Sequence, residues 1–242
     1  MIFALAFLQV MSSILSRFLG SRRGAVLTGF FGGLISSTAT TASLAKRSQS
    51  SRREDVFTEV LTFLAATLAM LFEGAAILLL GTKDSYSSLL MIVAGPGIVT
   101  VVLMMFLYRK AVHTPLAVVG NRVEFLPLFK LSAFMIGILA LSRVLQVVFG
   151  QTGILAFTFL VSLFEIHGSI IANVQLYNAG LVDMHLLGGL LTISIAASYL
   201  SKVFLIYTIG SSALRGLVLK CTTLLVLSLV ASWFVFVSQT LF

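Results

Sequence analysis

The 242 residues are 59% hydrophobic and only 10% charged, with 20 Phe, 19 Gly and 3 Pro. A soluble domain carries roughly 25% charged residues, so too few charges exist here to cover a water-facing surface. The same composition excludes disorder, a collagen-like chain and a disulfide scaffold. The formal net charge is +8, but no nucleic-acid-binding motif accompanies it. Most basic residues fall in loops and at helix ends, where they set orientation and meet anionic headgroups. The chain therefore reads as an integral protein of the lipid bilayer, with no nucleic-acid partner.

A spanning helix needs about 20 apolar residues. On that measure the sequence holds eight apolar segments, at about 1–19, 24–45, 56–80, 87–108, 126–149, 152–175, 184–209 and 216–240. None shows a barrel's alternation, so helices are the spanning option. The fold class expected is an all-α polytopic bundle of about eight helices, a single membrane domain over 1–242. The first segment lacks a basic leader, so a cleaved signal peptide is not expected. The second is rich in Gly, Ser and Thr. The fourth contains Gly95-Pro96-Gly97, which predicts a kink or break. The eighth contains Cys221, the one cysteine, which excludes an internal disulfide and a cysteine metal cluster.

Basic loop residues predict topology. Lys46, Arg47, Arg52, Arg53, Arg109, Lys110 and Arg122 follow even-numbered spans; Arg22, Arg23, Lys83, Arg215 and Lys220 lie on the other side. The larger first set favours both termini in the cytoplasm.

The two halves look related. Gly24 and Gly153, Ser36 and Glu165, Thr40 and Ser169, Glu73 and Lys202, and Gly81 and Gly210 are each 129 positions apart. Ser16-Arg17 and Ser142-Arg143 align after a small slip. This predicts repeats over about 1–108 and 126–242, joined by a linker at 109–125. Four spans per half is an even number, so the repeats should be parallel.

Polar residues within the spans are the candidates for chemistry. On a regular helix Ser36, Thr40 and Ser43 share a face, with Ser37 and Thr41 on the adjoining stripe. Ser162, Glu165, Ser169 and Asn173 share the corresponding face of the sixth span. Such faces can replace a small cation's hydration shell along a transport path. Helix packing and back-bonding of hydroxyls compete with that reading, and Gly29 and Gly33 form a small-xxx-small pair suited to close helix contact. A carboxylate near the bilayer centre costs about 2.5–3.5 kcal/mol to insert, so Glu165 faces protein or water, as a cation or proton site or as a neutral hydrogen-bonded group. His167 lies about 200° around a regular helix from Glu165, so the pair cannot chelate one metal there. A proton or ligand role and a structural hydrogen bond both remain open for His167. Glu73 and Lys202 form either a gate or a buried ion pair; Arg17 and Arg143 snorkel near helix ends. Glu59, Asp183 and His185 lie near interfaces and receive no role. With no phosphate loop, zinc motif or flavin fingerprint, neither an enzyme nor a cofactor is expected.

The run Gly32-Gly33-Leu34-Ile35-Ser36-Ser37-Thr38-Ala39-Thr40-Thr41, followed by Leu44-Ala45-Lys46-Arg47, resembles a bacterial membrane family, the domain of unknown function 4010. Asn121, Gly153, Leu163-Phe164-Glu165-Ile166-His167-Gly168, Lys202 and Gly210 fall in the family's order, so the resemblance covers about residues 8–220. The family's pattern is Asp-rich where this chain has Glu165-Ile166-His167. The resemblance implies a bacterial inner-membrane location and an association with MgtC/SapB-type membrane domains. With no such domain upstream, a stand-alone form or half of a split system is expected. Two functions follow as expectations: a transporter or channel for a small ion or solute, or an interaction and regulatory module that partners an MgtC-type or other membrane protein and has no transport of its own; a homo-oligomer is a further expected partner.

Overall fold

The structure is a computed structural model that describes residues 21–52, 55–82, 86–111 and 152–240. Among these residues all regular structure is helical. The helices are α1 (Ser21–Ser48), α2 (Val56–Gly81), α3 (Tyr86–Lys110), α4 (Thr152–Ser162), α5 (Ile166–Asn178), α6 (Met184–Ile209) and α7 (Ser212–Thr240). Five of them, α1, α2, α3, α6 and α7, are long and apolar enough to cross a membrane. The chain is a multi-pass membrane protein. Expected spans two, three, four, seven and eight correspond to these five. Spans one and five, Arg17, Arg143 and the linker with Asn121 and Arg122 lie outside the described residues.

Two expectations are corrected. The sixth span is not one helix: α4 ends at Ser162 and α5 begins at Ile166, with Glu165 extended between them (φ −147°, ψ 100°). The second is not regular either, because Ser36 is extended within α1 (φ −167°, ψ 106°). Conversely, α3 continues through Pro96. Proline removes one helix hydrogen bond, a loss that neighbouring groups can offset within a membrane. Gly95 supplies close contact there, since a Cβ on it would meet the Ser232 hydroxyl.

The residues form two compact units. The first holds α1 and the described parts of 55–72, 97–111 and 202–225. Its tightest seam joins α1 to α2. A Cβ on Gly29 would strike the carbonyl oxygen of Thr62, and one on Gly33 would lie 2.6 Å from Ala66 Cα and 2.9 Å from Ala69 Cβ. Only hydrogen at both positions permits this approach, the small-residue packing by which membrane helices gain dispersion contacts. Beyond it, the Ser48 hydroxyl accepts from Ser211 N at 2.9 Å, and Gln49 Nε2 donates to the Ile209 carbonyl at 2.7 Å.

The second unit holds the described parts of 73–96, 124–201 and 226–242, with α4 and α5 among them. Here α5 packs on the end of α2: a Cβ on Gly81 would meet Val174 Cγ1 at 2.7 Å, and Asn178 Nδ2 donates to the Gly81 carbonyl at 2.8 Å. Helix α5 closes with Gly180 at φ +70°. Leu181 N bonds the Leu176 carbonyl and Gly180 N the Tyr177 carbonyl, the paired pattern that a left-handed glycine makes possible. Asp183 then caps α6 by accepting from Leu186 N at 2.7 Å, which gives this interface residue a structural role.

Candidate functional site

Each break is organised by its own side chain. At Ser36 the hydroxyl oxygen accepts from Ala39 N at 3.2 Å. At Glu165 the carboxylate Oε1 accepts from His167 N at 3.1 Å. In both places an extended residue uses its side chain to satisfy a backbone N–H that begins a new helical segment, which is N-terminal capping. The α1 break also brings Thr40 back toward Gly32. A Cβ on Gly32 would lie 2.8 Å from Thr40 Oγ1, whereas residues eight apart on a straight helix are separated by about 12 Å along the axis.

The remaining hydroxyls of α1 divide. Thr41 is fully buried and its Oγ1 donates to the Ser37 carbonyl at 2.7 Å, the back-bonding that competes with a path-lining role. Ser37 is also buried, Thr40 is half-buried against Gly32, and Ser43 is exposed.

In the second unit, the sixth-span residues form two polar groups. Thr158 Oγ1 donates to Asn173 Oδ1 at 3.2 Å, and the hydroxyls of Ser169 and Ser194 lie 3.3 Å apart. Asn173 Nδ2 and Ser162 Oγ are buried with no hydrogen-bond partner among the described residues. A buried amide donor left unmatched is costly.

Glu165 and His167, taken as facing apart on a regular helix, are instead in contact. Because Glu165 is extended, its Oε1 also lies 3.3 Å from His167 Nδ1. On the other side of the ring, Nε2 lies 2.9 Å from Oε2 of Glu73 on α2. The three side chains are 17–28% exposed. Lys202 is fully buried in the first unit, and its Nζ donates to Met70 Sδ at 3.0 Å. Glu73 and Lys202 thus each make a close polar contact within their own unit.

The family model of the domain of unknown function DUF4010 matches residues 4–210. The chain belongs to this DUF4010 family. Both helix breaks, the Glu73–His167–Glu165 contact and Lys202 lie within the matched DUF4010 region. No curated protein and no solved structure matches the chain.

Beyond the two breaks and the Glu165–His167 contact, sequence reasoning missed two further features. Glu59, given no role at an interface, is fully buried in the first turn of α2, and neither of its oxygens makes an aligned hydrogen bond among the described residues. The Glu73–His167 contact joins residues far apart in the chain, and neither residue's local pattern points to the other. Among the described residues, no group of three or more His, Cys, Asp or Glu is arranged to hold a metal ion.

Proposed function

We propose that this chain is a transporter or channel for a small ion or solute, with the residues at its two helix breaks touching the cargo. The observation that carries the reading is the matched pair of breaks. Ser36 and Glu165 are extended residues inside apolar segments, each capping the helix that follows. Interrupted helices are tolerated at membrane depth where the freed backbone is buried in protein or meets water. They commonly bind cargo, because half-helix ends present unpaired N–H and C=O groups.

The 129-residue spacing between Ser36 and Glu165 supports a two-repeat organisation. The same spacing carries α2 (Val56–Gly81) onto 185–210, against α6 at Met184–Ile209, and α3 (Tyr86–Lys110) onto 215–239, against α7 at Ser212–Thr240. Ser36, Ser37, Thr40, Ser169 and Asn173 supply hydroxyl and amide groups, and Glu165 supplies charge. Glu73 and Lys202 brace or gate the chain at equivalent places in α2 and α6.

The test is a flux screen in proteoliposomes across Mg²⁺, K⁺, Na⁺ and protons, comparing wild type with Glu165→Gln. Gln keeps an oxygen to accept the cap bond but carries no charge. Flux of at least one ion that falls tenfold or more in a folded Glu165→Gln protein is expected. No flux of any ion, together with a stoichiometric membrane partner in native pull-downs, would favour an interaction module instead.

A further inference from the structure

The imidazole of His167 sits between two carboxylates, and the arrangement selects its ligand. Nδ1 faces Glu165 Oε1 at 3.3 Å and Nε2 faces Glu73 Oε2 at 2.9 Å. A neutral ring offers one donor and one acceptor; a ring meeting carboxylate oxygens on both sides is matched by two donors, the imidazolium. The carboxylates come from different elements, Glu165 from the start of the ring's own helix and Glu73 from α2. With both ionised and the ring doubly protonated, the three groups carry a net charge of −1. Little of that charge is in contact with solvent, so one further monovalent cation is favoured there.

The geometry argues against a metal as that cation. The ring nitrogens point in opposite directions along the bridge, so the lone pairs of the three groups do not converge. Metal ions are held by convergent ligands, and among the described residues no such group occurs. A proton needs only one lone pair. It binds a carboxylate oxygen as an O–H, taking the site from −1 to neutral, and its release restores −1.

We propose that Glu73, His167 and Glu165 form a proton-binding site, and that the cation handled at the α4–α5 break is the proton. Proton binding stands on the geometry alone; its part in flux rests on the transport reading above. Glu165 Oε1 accepts from the His167 backbone N–H and lies 3.3 Å from the ring Nδ1. A proton placed on that carboxylate therefore weakens the cap of α5, which links occupancy of the site to the break itself.

The experiment has two arms on the full chain. In nanodiscs, ¹⁵N-histidine spectra are recorded against pH, with the His167 signal assigned by its loss in His167→Gln. The His167 ring is expected to be doubly protonated at pH 7.5 and to lose that state there in Glu73→Gln and Glu165→Gln. A neutral His167 ring at pH 7.5 in the wild type overturns the proposal. In proteoliposomes holding a pH-sensitive dye, an inside-negative potassium diffusion potential should acidify the lumen. That rate should fall tenfold or more in each of the three variants. Glu73→Gln leaves the α5 cap residue untouched, so it stays informative if His167→Gln does not fold.

Movement of another ion without protons would overturn the proton's role in flux and leave the transport reading standing. A doubly protonated ring with no movement of any ion would sustain the proton site and sink the transport reading.

Discussion

The break in α1 decides the sign of a substitution at Gly32. Were α1 straight at Ser36, Gly32→Ala would place a methyl on a helix surface and stabilise it by about 1 kcal/mol through helix propensity. With the break, that methyl meets Thr40 Oγ1 at 2.8 Å and Cγ2 at 3.3 Å, while Thr40 Cβ stays at an ordinary 3.7 Å. Overpacking of this kind costs about 1–3 kcal/mol, enough to offset the propensity gain. The clash lies wholly in the γ atoms of Thr40, so Thr40→Ala should relieve it. The two substitutions should couple by about 1–3 kcal/mol, whereas sites more than about 7–10 Å apart add to within about 0.5 kcal/mol. Cys221, buried and the one thiol of the chain, supplies the assay. A thiol-reactive fluorogenic dye reports its exposure during thermal unfolding in detergent, at about 2–4 °C per kcal/mol for a chain of this size. Additivity of Gly32→Ala and Thr40→Ala within about 0.5 kcal/mol would refute the break.

Other substitutions test the helix seam, the α6 cap and Lys202. Gly33→Leu drives a large side chain into Ala66 and Ala69 and should abolish the monodisperse peak in size-exclusion chromatography, while Gly97→Ala, where a Cβ meets nothing, should leave it unchanged. Asp183→Ala removes the α6 cap and should lower stability by about 1 kcal/mol in the same thiol assay. Lys202→Met replaces a fully buried ammonium with a side chain of similar length. It should be neutral to stabilising in that assay and reduce proteoliposome flux severalfold.

The spans were legible because apolar length is a property of composition, and Val56–Gly81 and Met184–Ile209 fall almost where hydropathy alone puts them. The Gly29/Gly33 seam was legible for a related reason: glycines four apart on a helix leave one open groove. The breaks were not. Proline is the usual marker of an interruption, yet α3 runs through Pro96. The actual breaks carry a Ser within a run of hydroxyl residues, any of which can cap a helix, and a Glu, a residue outside the favoured cap types. Taking the sixth span as regular then set Glu165 and His167 on different sides of the helix. A single extended residue reverses that geometry and joins them. The contact with Glu73 depends on how α5 packs on α2, information held in the fit of Gly74 and Gly81 against Ile170 and Val174 and absent from the local pattern of either residue.

A helix break that handles cargo must meet water inside the membrane. Ser36→Cys in a Cys221→Ala background tests it directly, read by labelling with a membrane-impermeant thiol reagent in vesicles. Ser36→Cys should react at least tenfold faster than Leu227→Cys, an exposed apolar position on α7. Equal, negligible labelling at both positions would contradict it.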